Sequence, residues 1–334
     1  MNKIMLNIVI PVFNRTELTQ KTILNIYKCK NFNNKIPFVI TVVDNGSNEK
    51  LRNILTQFAD DGIIDNLYLL DKNMGVSCAC NIGLRAVDSN FFLKIDNDIT
   101  IIDHNFFEKL FKLYDCVEKF SILGPALLKS MIYESSKIID TCYGKLALCT
   151  SNVPGGALLI PSIVYNILGG FNEEYGLYGA DDGDYGARMK AAGFNQYYYE
   201  YENFFIHEGK WDNSEYNGYN LDKAKEHKRL FVTDDGKIGL FRLNLFLYEL
   251  CIRSWKVPYR YIITKKDRYH VEAKEKPEYQ KIKQAICRSQ TIVQSYYKKS
   301  NFKSYYMPDY AIQKLKKIWK ECGQECTYEN IISS

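Results

Sequence analysis

The chain has 334 residues, 46% of them apolar and 25% charged, with 26 Tyr, 18 Phe and 3 Trp; this excludes a largely disordered chain and allows one large α/β domain with an appendage, or two domains. Its net charge of +5 divides unevenly: residues 1–209 carry 19 Lys and Arg against 24 Asp and Glu, a net of −5, whereas residues 210–334 carry 25 against 15, a net of +10. Ten cysteines without a Cys-x-x-Cys pair argue against a structural zinc site and for a reduced, cytoplasmic setting, and no apolar run suits a signal peptide or the roughly 18 residues of a membrane span.

The first hundred residues alternate between β-branched apolar runs and helical spacing. Strands are predicted at Leu6–Val12, Phe38–Asp44, Asn66–Leu70 and Asn90–Ile95. Between them Glu17–Lys28, Asn48–Ala59 and Val76–Val87 repeat apolar residues every three or four positions, the helical period. Such βαβ units build a doubly wound, mostly parallel sheet with flanking helices. Ligands bind beyond the carboxyl ends of its strands. Phe13-Asn14-Arg15, Asp44-Asn45-Gly46-Ser47, Asp71 to Gly75 and Asp96-Asn97-Asp98 are therefore expected to meet. After residue 100 the alternation loosens into a helix near Asp103–Lys119, strands at Ser121–Gly124 and Gly155–Ile160, and a helix at Asp182–Ala192. From about Trp211 the texture changes to Lys- and Tyr-rich helical patterns over Leu221–Phe231, Lys237–Trp255, Pro277–Lys298 and Pro308–Glu321. The division expected is an α/β domain over residues 1–215 and a basic, mainly helical C-terminal region over 216–334.

Four stretches carry chemistry. FLKIDNDIT, residues 92–100, ends a buried run on two aspartates, a placement that calls for a cation. An EF-hand loop is excluded because Ile101 and Phe107 stand where it needs glycine and a carboxylate, but a hard divalent ion bridging phosphates needs only one or two carboxylates. NMGVSCACNIGL, residues 73–84, leads small residues into a helix, which suits either a ligand or close helix–sheet packing. Asp181, Asp182 and Asp184 crowd a glycine-rich loop entering a helix; N-capping accounts for one or two of them, and an ionised aspartate there can take a proton from a hydroxyl. His207, in FFIHEGKW, is either a structural histidine or a divalent-metal ligand.

In order, IPVFNR, VDNGS, NMGVSCACNIG, DND and GADDGDYGARMKAAG resemble family 2 glycosyltransferases of the GT-A fold, from about Asn7 to His207. The resemblance implies a Rossmann-like, mostly parallel sheet flanked by helices and an inverting transfer of sugar from a nucleotide sugar, a UDP-sugar first among them, to a glycan, lipid-linked or protein acceptor in bacterial-type surface glycan synthesis. Pro11, Phe13 and Arg15 would line the nucleotide site with Asn73, Gly75, Asn81 and Asn97, and Asp44 would accept hydrogen bonds from the base or ribose. Asp96 would touch the ribose or the metal shell, Asp98 would bind Mn2+ or Mg2+ directly, and His207 would assist. Asp182 would be the general base, with Asp181, Asp184 and Trp211 on the acceptor side.

Two departures stand out: Asp181 where many relatives carry Glu, and Cys80 where many carry Arg, so that a positive contact near the donor is missing or comes from elsewhere. A sugar nucleotidyltransferase and a non-catalytic sugar-nucleotide-binding protein remain alternatives, the first disfavoured by a glycine-free IPVFNRTEL. No nucleic-acid partner is expected. The amphipathic pattern of Pro308–Glu321 suits packing on the rest of the chain better than a membrane surface; peripheral contact with the inner face of a membrane and pairing with a second copy stay open.

Overall fold

The computed structural model describes residues 4–30, 36–209, 225, 227–297 and 307–326. Strands β1 (Ile4–Val12), β2 (Phe38–Asp44), β3 (Asn66–Leu70) and β4 (Ser89–Ile95) alternate with helices α1 (Thr16–Cys29), α2 (Glu49–Asp60) and α3 (Val76–Ala86), each close to its predicted span. There follow β5 (Ile99–Ile101), α4 (Phe106–Tyr114), β6 (Ile122–Pro125), α5 (Ser130–Tyr133), β7 (Ile138–Thr141), β8 (Gly144–Leu148), β9 (Ala157–Pro161), α6 (Ser162–Leu168), α7 (Asp181–Ala191), β10 (Gln196–Tyr199) and β11 (Phe205–His207). The C-terminal region adds α8 (Leu240–Glu249), β12 (Tyr261–Lys265), β13 (His270–Glu275), α9 (Tyr279–Tyr297) and α10 (Asp309–Glu321).

Eleven strands form one sheet in the order β12-β13-β3-β2-β1-β4-β9-β6-β10-β8-β7. The run from β13 to β4 is parallel; β9 enters antiparallel between β4 and β6, and β6 and β10 are again parallel. Leu6 to Val12 of β1 are all buried, as in a strand covered on both faces, and successive side chains alternate between the two covering layers. Leu6, Ile8, Ile10 and Val12 join Ile23 and Ile26 of α1, Leu51 and Leu55 of α2 and Leu110 of α4 in one cluster. Val9 instead joins Cys80 and Leu84 of α3, Val164 of α6 and Met189 of α7. The result is a mixed α/β fold of three layers.

The order β3-β2-β1-β4 reverses at β1, so a crevice opens beyond the carboxyl ends of β1 and β4, at Phe13 and Asp96. The hairpin β12–β13 was not expected in the helical tail: β13 pairs with β3 through His270↔Leu69 and Val271↔Leu70 and so extends the sheet. Helix α10 turns Ala311, Leu315, Ile318 and Trp319 into a cluster with Leu243, Leu247 and Ile282, leaving Lys314, Lys316, Lys317 and Lys320 exposed. Its apolar face is therefore covered, as the packing reading expected. Among the described residues no helix is long and apolar enough to cross a membrane. The predicted helix over Leu221–Phe231 falls partly, and Trp211 wholly, outside the described residues.

Candidate active site

The crevice is built by three loops that hold one another. Asn14 and Arg15, just past β1, both take left-handed backbone conformations, φ 56° and 57°, a strain that persists only where neighbours impose it. Those neighbours are the loop after β2 and the DND turn. The Asn14 backbone N–H donates to Ser47 Oγ at 2.8 Å, the Asn48 N–H donates to Asn14 Oδ1 at 3.1 Å, and Asn97 Nδ2 donates to Thr19 Oγ1 at 2.8 Å and to the Asn14 carbonyl at 3.3 Å. Asn97 thus ties the DND turn to the turn after β1 through its Nδ2. Asp44 ends β2 fully buried, accepting from the Ser47 N–H at 3.2 Å with Arg52 Nε 3.6 Å away. Burial raises its carboxyl above the usual aspartate range despite these partners. Pro11 is buried within β1 in register with Val43, whereas Phe13 lies half-buried beyond the strand's end.

Asp98 is the meeting point. Arg15 pairs with its Oδ2, and His207 Nε2 lies 3.2 Å from its Oδ1. His207 reaches it because β11 pairs antiparallel with β5, placing His207 opposite Ile99, and the Glu208 N–H then donates to the Asp98 carbonyl at 2.8 Å. Burial pushes the Asp98 carboxyl up, but His207 and Arg15 outweigh it and hold the group below the usual range. Ligand atoms of Asp96, Asp98 and His207 all lie within 4.8 Å of one another. Asp98 Oδ1 is buried and, apart from His207 Nε2, meets no donor among the described residues, so it is an acceptor that a cation would satisfy. Two carboxylates and an imidazole suit Mn2+ or Mg2+, so the residues fit a divalent ion.

Lys94, which the sequence reading passed over, stands beside this group. It lies on β4 at 3% exposure and pairs with Asp96 Oδ1. Burial alone would strip its charge; Asp96 first, and then Asp181, outweigh that and keep the ammonium protonated. A lysine inside an otherwise buried apolar strand was the available signal. Burial pushes the neighbouring Cys80 thiol up to about 12, so Cys80 is an inert wall there and the positive charge comes from Lys94.

Helix α7 begins at Asp181, after Ala180 in a left-handed conformation with φ 59°. Burial first, and then the adjacent Asp182 charge, push the Asp181 carboxyl up to about 6. A Cβ placed on Gly155 would stand 3.3 Å from Lys94 Nζ and 3.7 Å from Asp182 Cβ, and one on Gly156 would stand 3.7 Å from Asp96 Oδ2. Lys94, Asp96 and Asp182 therefore come together beside the Gly155-Gly156 backbone.

Asp184 and Asn81 are not part of it. Asp184 is fully buried and receives Tyr175 Oη at 2.5 Å, Tyr248 Oη at 3.1 Å, Asn172 Nδ2 at 3.3 Å and Arg188 Nε at 2.6 Å, so no oxygen is left for an acceptor. Asn81, also fully buried, donates to the Phe171 carbonyl and Glu173 Oε1 and accepts from the Phe171 N–H, each at 2.8 Å; its amide pins the 169–175 loop to α3. Asn73 Oδ1 accepts from Asn45 Nδ2 and the Gly75 N–H, both at 2.9 Å, and so shapes the loop entering α3.

Residues 7–120 match the family described as glycosyl transferase family 2. The match covers about a third of the chain and spans β1 to β4 with the DND turn. Among solved structures it is similar to the mannosyltransferase PcManGT from Pyrobaculum calidifontis, in complex with GDP-Man and Mn2+, at 17% identity and a TM-score of 0.51 over 68% of this chain and 62% of that one. It is also similar to S. aureus TarS 1–349, at 14% identity and a TM-score of 0.46 over 74% of this chain and 71% of that one. At these identities the likeness to the mannosyltransferase speaks for the fold, and this chain spans about three fifths of that protein's length. No match is found among the curated proteins.

Proposed function

We propose that the protein transfers a sugar from a nucleoside diphosphate sugar to an acceptor hydroxyl, with metal assistance and inversion at the anomeric carbon. The observation that carries this is the convergence of Asp96, Asp98 and His207 at the topological switch point of a sheet whose β1 to β4 match family 2, with Asp182 and Asp96 both beside the Gly155-Gly156 backbone. Asp98 and His207, with Asp96 beside them, would hold Mn2+ or Mg2+, which when bound supplies a Lewis acid for the leaving diphosphate. Asp44, at the end of β2, would accept from the base or ribose, the role the family resemblance gives it. Asp182 takes the acceptor proton as the hydroxyl oxygen bonds to the anomeric carbon and the carbon–diphosphate bond breaks, releasing nucleoside diphosphate. Asp181 orients the acceptor.

A second assignment has support in the charge environment: Asp181, raised to about 6, is the better-matched base near neutral pH. Incubation of the full chain with UDP-glucose, UDP-galactose, UDP-GlcNAc and GDP-mannose, with Mn2+ or with EDTA, tests the reading through nucleotide release. Release of nucleoside diphosphate that stops in EDTA is expected; release of pyrophosphate would mark a nucleotidyltransferase instead. With the donor so found, Asp182→Asn should lower transfer by about 10²–10⁴-fold while donor binding persists. Near-normal transfer by a folded Asp182→Asn, with loss in Asp181→Asn, would move the base to Asp181.

A further inference from the structure

We propose that Lys94 divides the acidic cluster into a metal half and a sugar half: its ammonium holds Asp96 away from the metal and offers its remaining donors to the hydroxyls of the donor sugar beside Gly155. This rests on the transferase reading and names the group that reads the sugar. An ammonium has three N–H donors, and among the described residues Asp96 Oδ1 is the one hydrogen-bond acceptor that Lys94 meets. The side chain is only 4% exposed, so water does not readily serve the other two. The free donors lie where a Gly155 Cβ would come within 3.3 Å of Nζ, and where Asp182 and Asp96 also stand beside the glycine backbone. A cation between carboxylates, beside a backbone that carries no side chain, is suited to a polyhydroxylated ring whose oxygens both donate and accept. With its Oδ1 paired with Lys94, Asp96 has only Oδ2 to offer the ion and is the weaker ligand, which leaves Asp98 and His207 as the main holders.

The test separates metal, nucleotide and sugar. Mn2+ binding to the protein alone is followed by electron paramagnetic resonance, and UDP, GDP and the donor found above are titrated calorimetrically in the wild type, Lys94→Met, Lys94→Arg and Gly155→Ala. Lys94→Met removes a positive charge from beside the ion and frees Asp96, so Mn2+ should bind about tenfold more tightly. Nucleoside diphosphate affinity should stay within about twofold, while affinity for the nucleotide sugar and kcat/KM fall at least about tenfold. Lys94→Arg should recover part of that loss. Gly155→Ala, which leaves the charges alone and adds a methyl group beside Nζ, should lose nucleotide-sugar affinity with Mn2+ and nucleoside diphosphate binding unchanged. A lysine that only supports the fold would lower all affinities together. Unchanged or weaker Mn2+ binding in Lys94→Met, or nucleotide-sugar affinity equal to wild type in both Lys94→Met and Gly155→Ala, overturns the proposal. Absence of nucleotide-sugar binding by the wild type instead overturns the transferase reading, and the Mn2+ titration still decides whether Lys94 governs Asp96.

Discussion

Asp181 shows how burial and a like charge set the state of one carboxylate. Its folded value of about 6 lies above the roughly 3.9 of an unfolded aspartate, so between those values the native chain keeps a proton that the unfolded chain has released. Stability is therefore lost as pH rises through that window, and the full penalty stands above pH 6. Asp181→Asn removes it. After discounting for partial exposure, the variant should gain on the order of 1 kcal/mol at pH 8, and the gain should fade as pH falls from about 6 to about 4. Melting curves at pH 8 and pH 4.5 check this; an equal or lower melting temperature at pH 8 would mean that attraction from Lys94 dominates the site. The carboxylates beyond strand ends, Asp44, Asp96 and Asp98, were legible because a charge beside a buried run needs a reason. Asp184 and Asn81 fit a site by type and spacing, but their side chains are spent on partners no local pattern shows: Asp184 on Asn172, Tyr175 and Tyr248 as well as Arg188 of its own helix, and Asn81 on Phe171 and Glu173, 90 and 92 residues away.

At the scale of elements, the helices and strands of the first hundred residues were readable because each carries its own period, two or three to four, over five residues or more. The strands missed were short or defined by a distant partner. β5 and β11 have three residues each and exist through the register Phe205↔Ile101 and His207↔Ile99, which no local pattern encodes. Gly75 marks where one such junction is most demanding. It begins α3 with φ 93°, and a Cβ there would stand 2.2 Å from the Gly176 carbonyl oxygen, a backbone atom that cannot rotate away. The Val76 N–H meets the Leu177 carbonyl at 3.3 Å across the same seam, joining the start of α3 to the loop that leads into α7. Gly75→Ala should therefore cost about 2–4 kcal/mol, from left-handed strain plus overpacking. A urea midpoint within error of wild type would show that the seam opens freely.

Across the whole molecule, the C-terminal region braces the helix that carries Asp181 and Asp182. Arg253, fully buried between α8 and β12, grips Glu174 with both terminal nitrogens, donates to Asn244 Oδ1 at 2.6 Å and lies 4.6 Å from the centre of the Trp319 ring of α10. Glu174 also receives Tyr279 Oη at 2.8 Å, and Asn244 passes the network to Tyr175 at 2.8 Å, from which it reaches Asp184 and Arg188. Apart from Asp184 and Arg188, which share α7, the links join buried polar groups from different segments of the chain, so the network acts as a unit. Removing one charge leaves its partner stranded in a dry interior, which costs more than removing both. Arg253→Met should then lower stability by about 3–5 kcal/mol, whereas Arg253→Met combined with Glu174→Met should recover most of that loss. Because the brace touches no substrate, residual transfer in Arg253→Met should track the folded fraction, with KM for the donor unchanged. Guanidinium unfolding of the two single variants and the double, together with KM measured on the folded protein, decides it. A double variant no more stable than the weaker single would mean that Arg253 works through the Trp319 ring and Asn244, and that Glu174 is a bystander to α7.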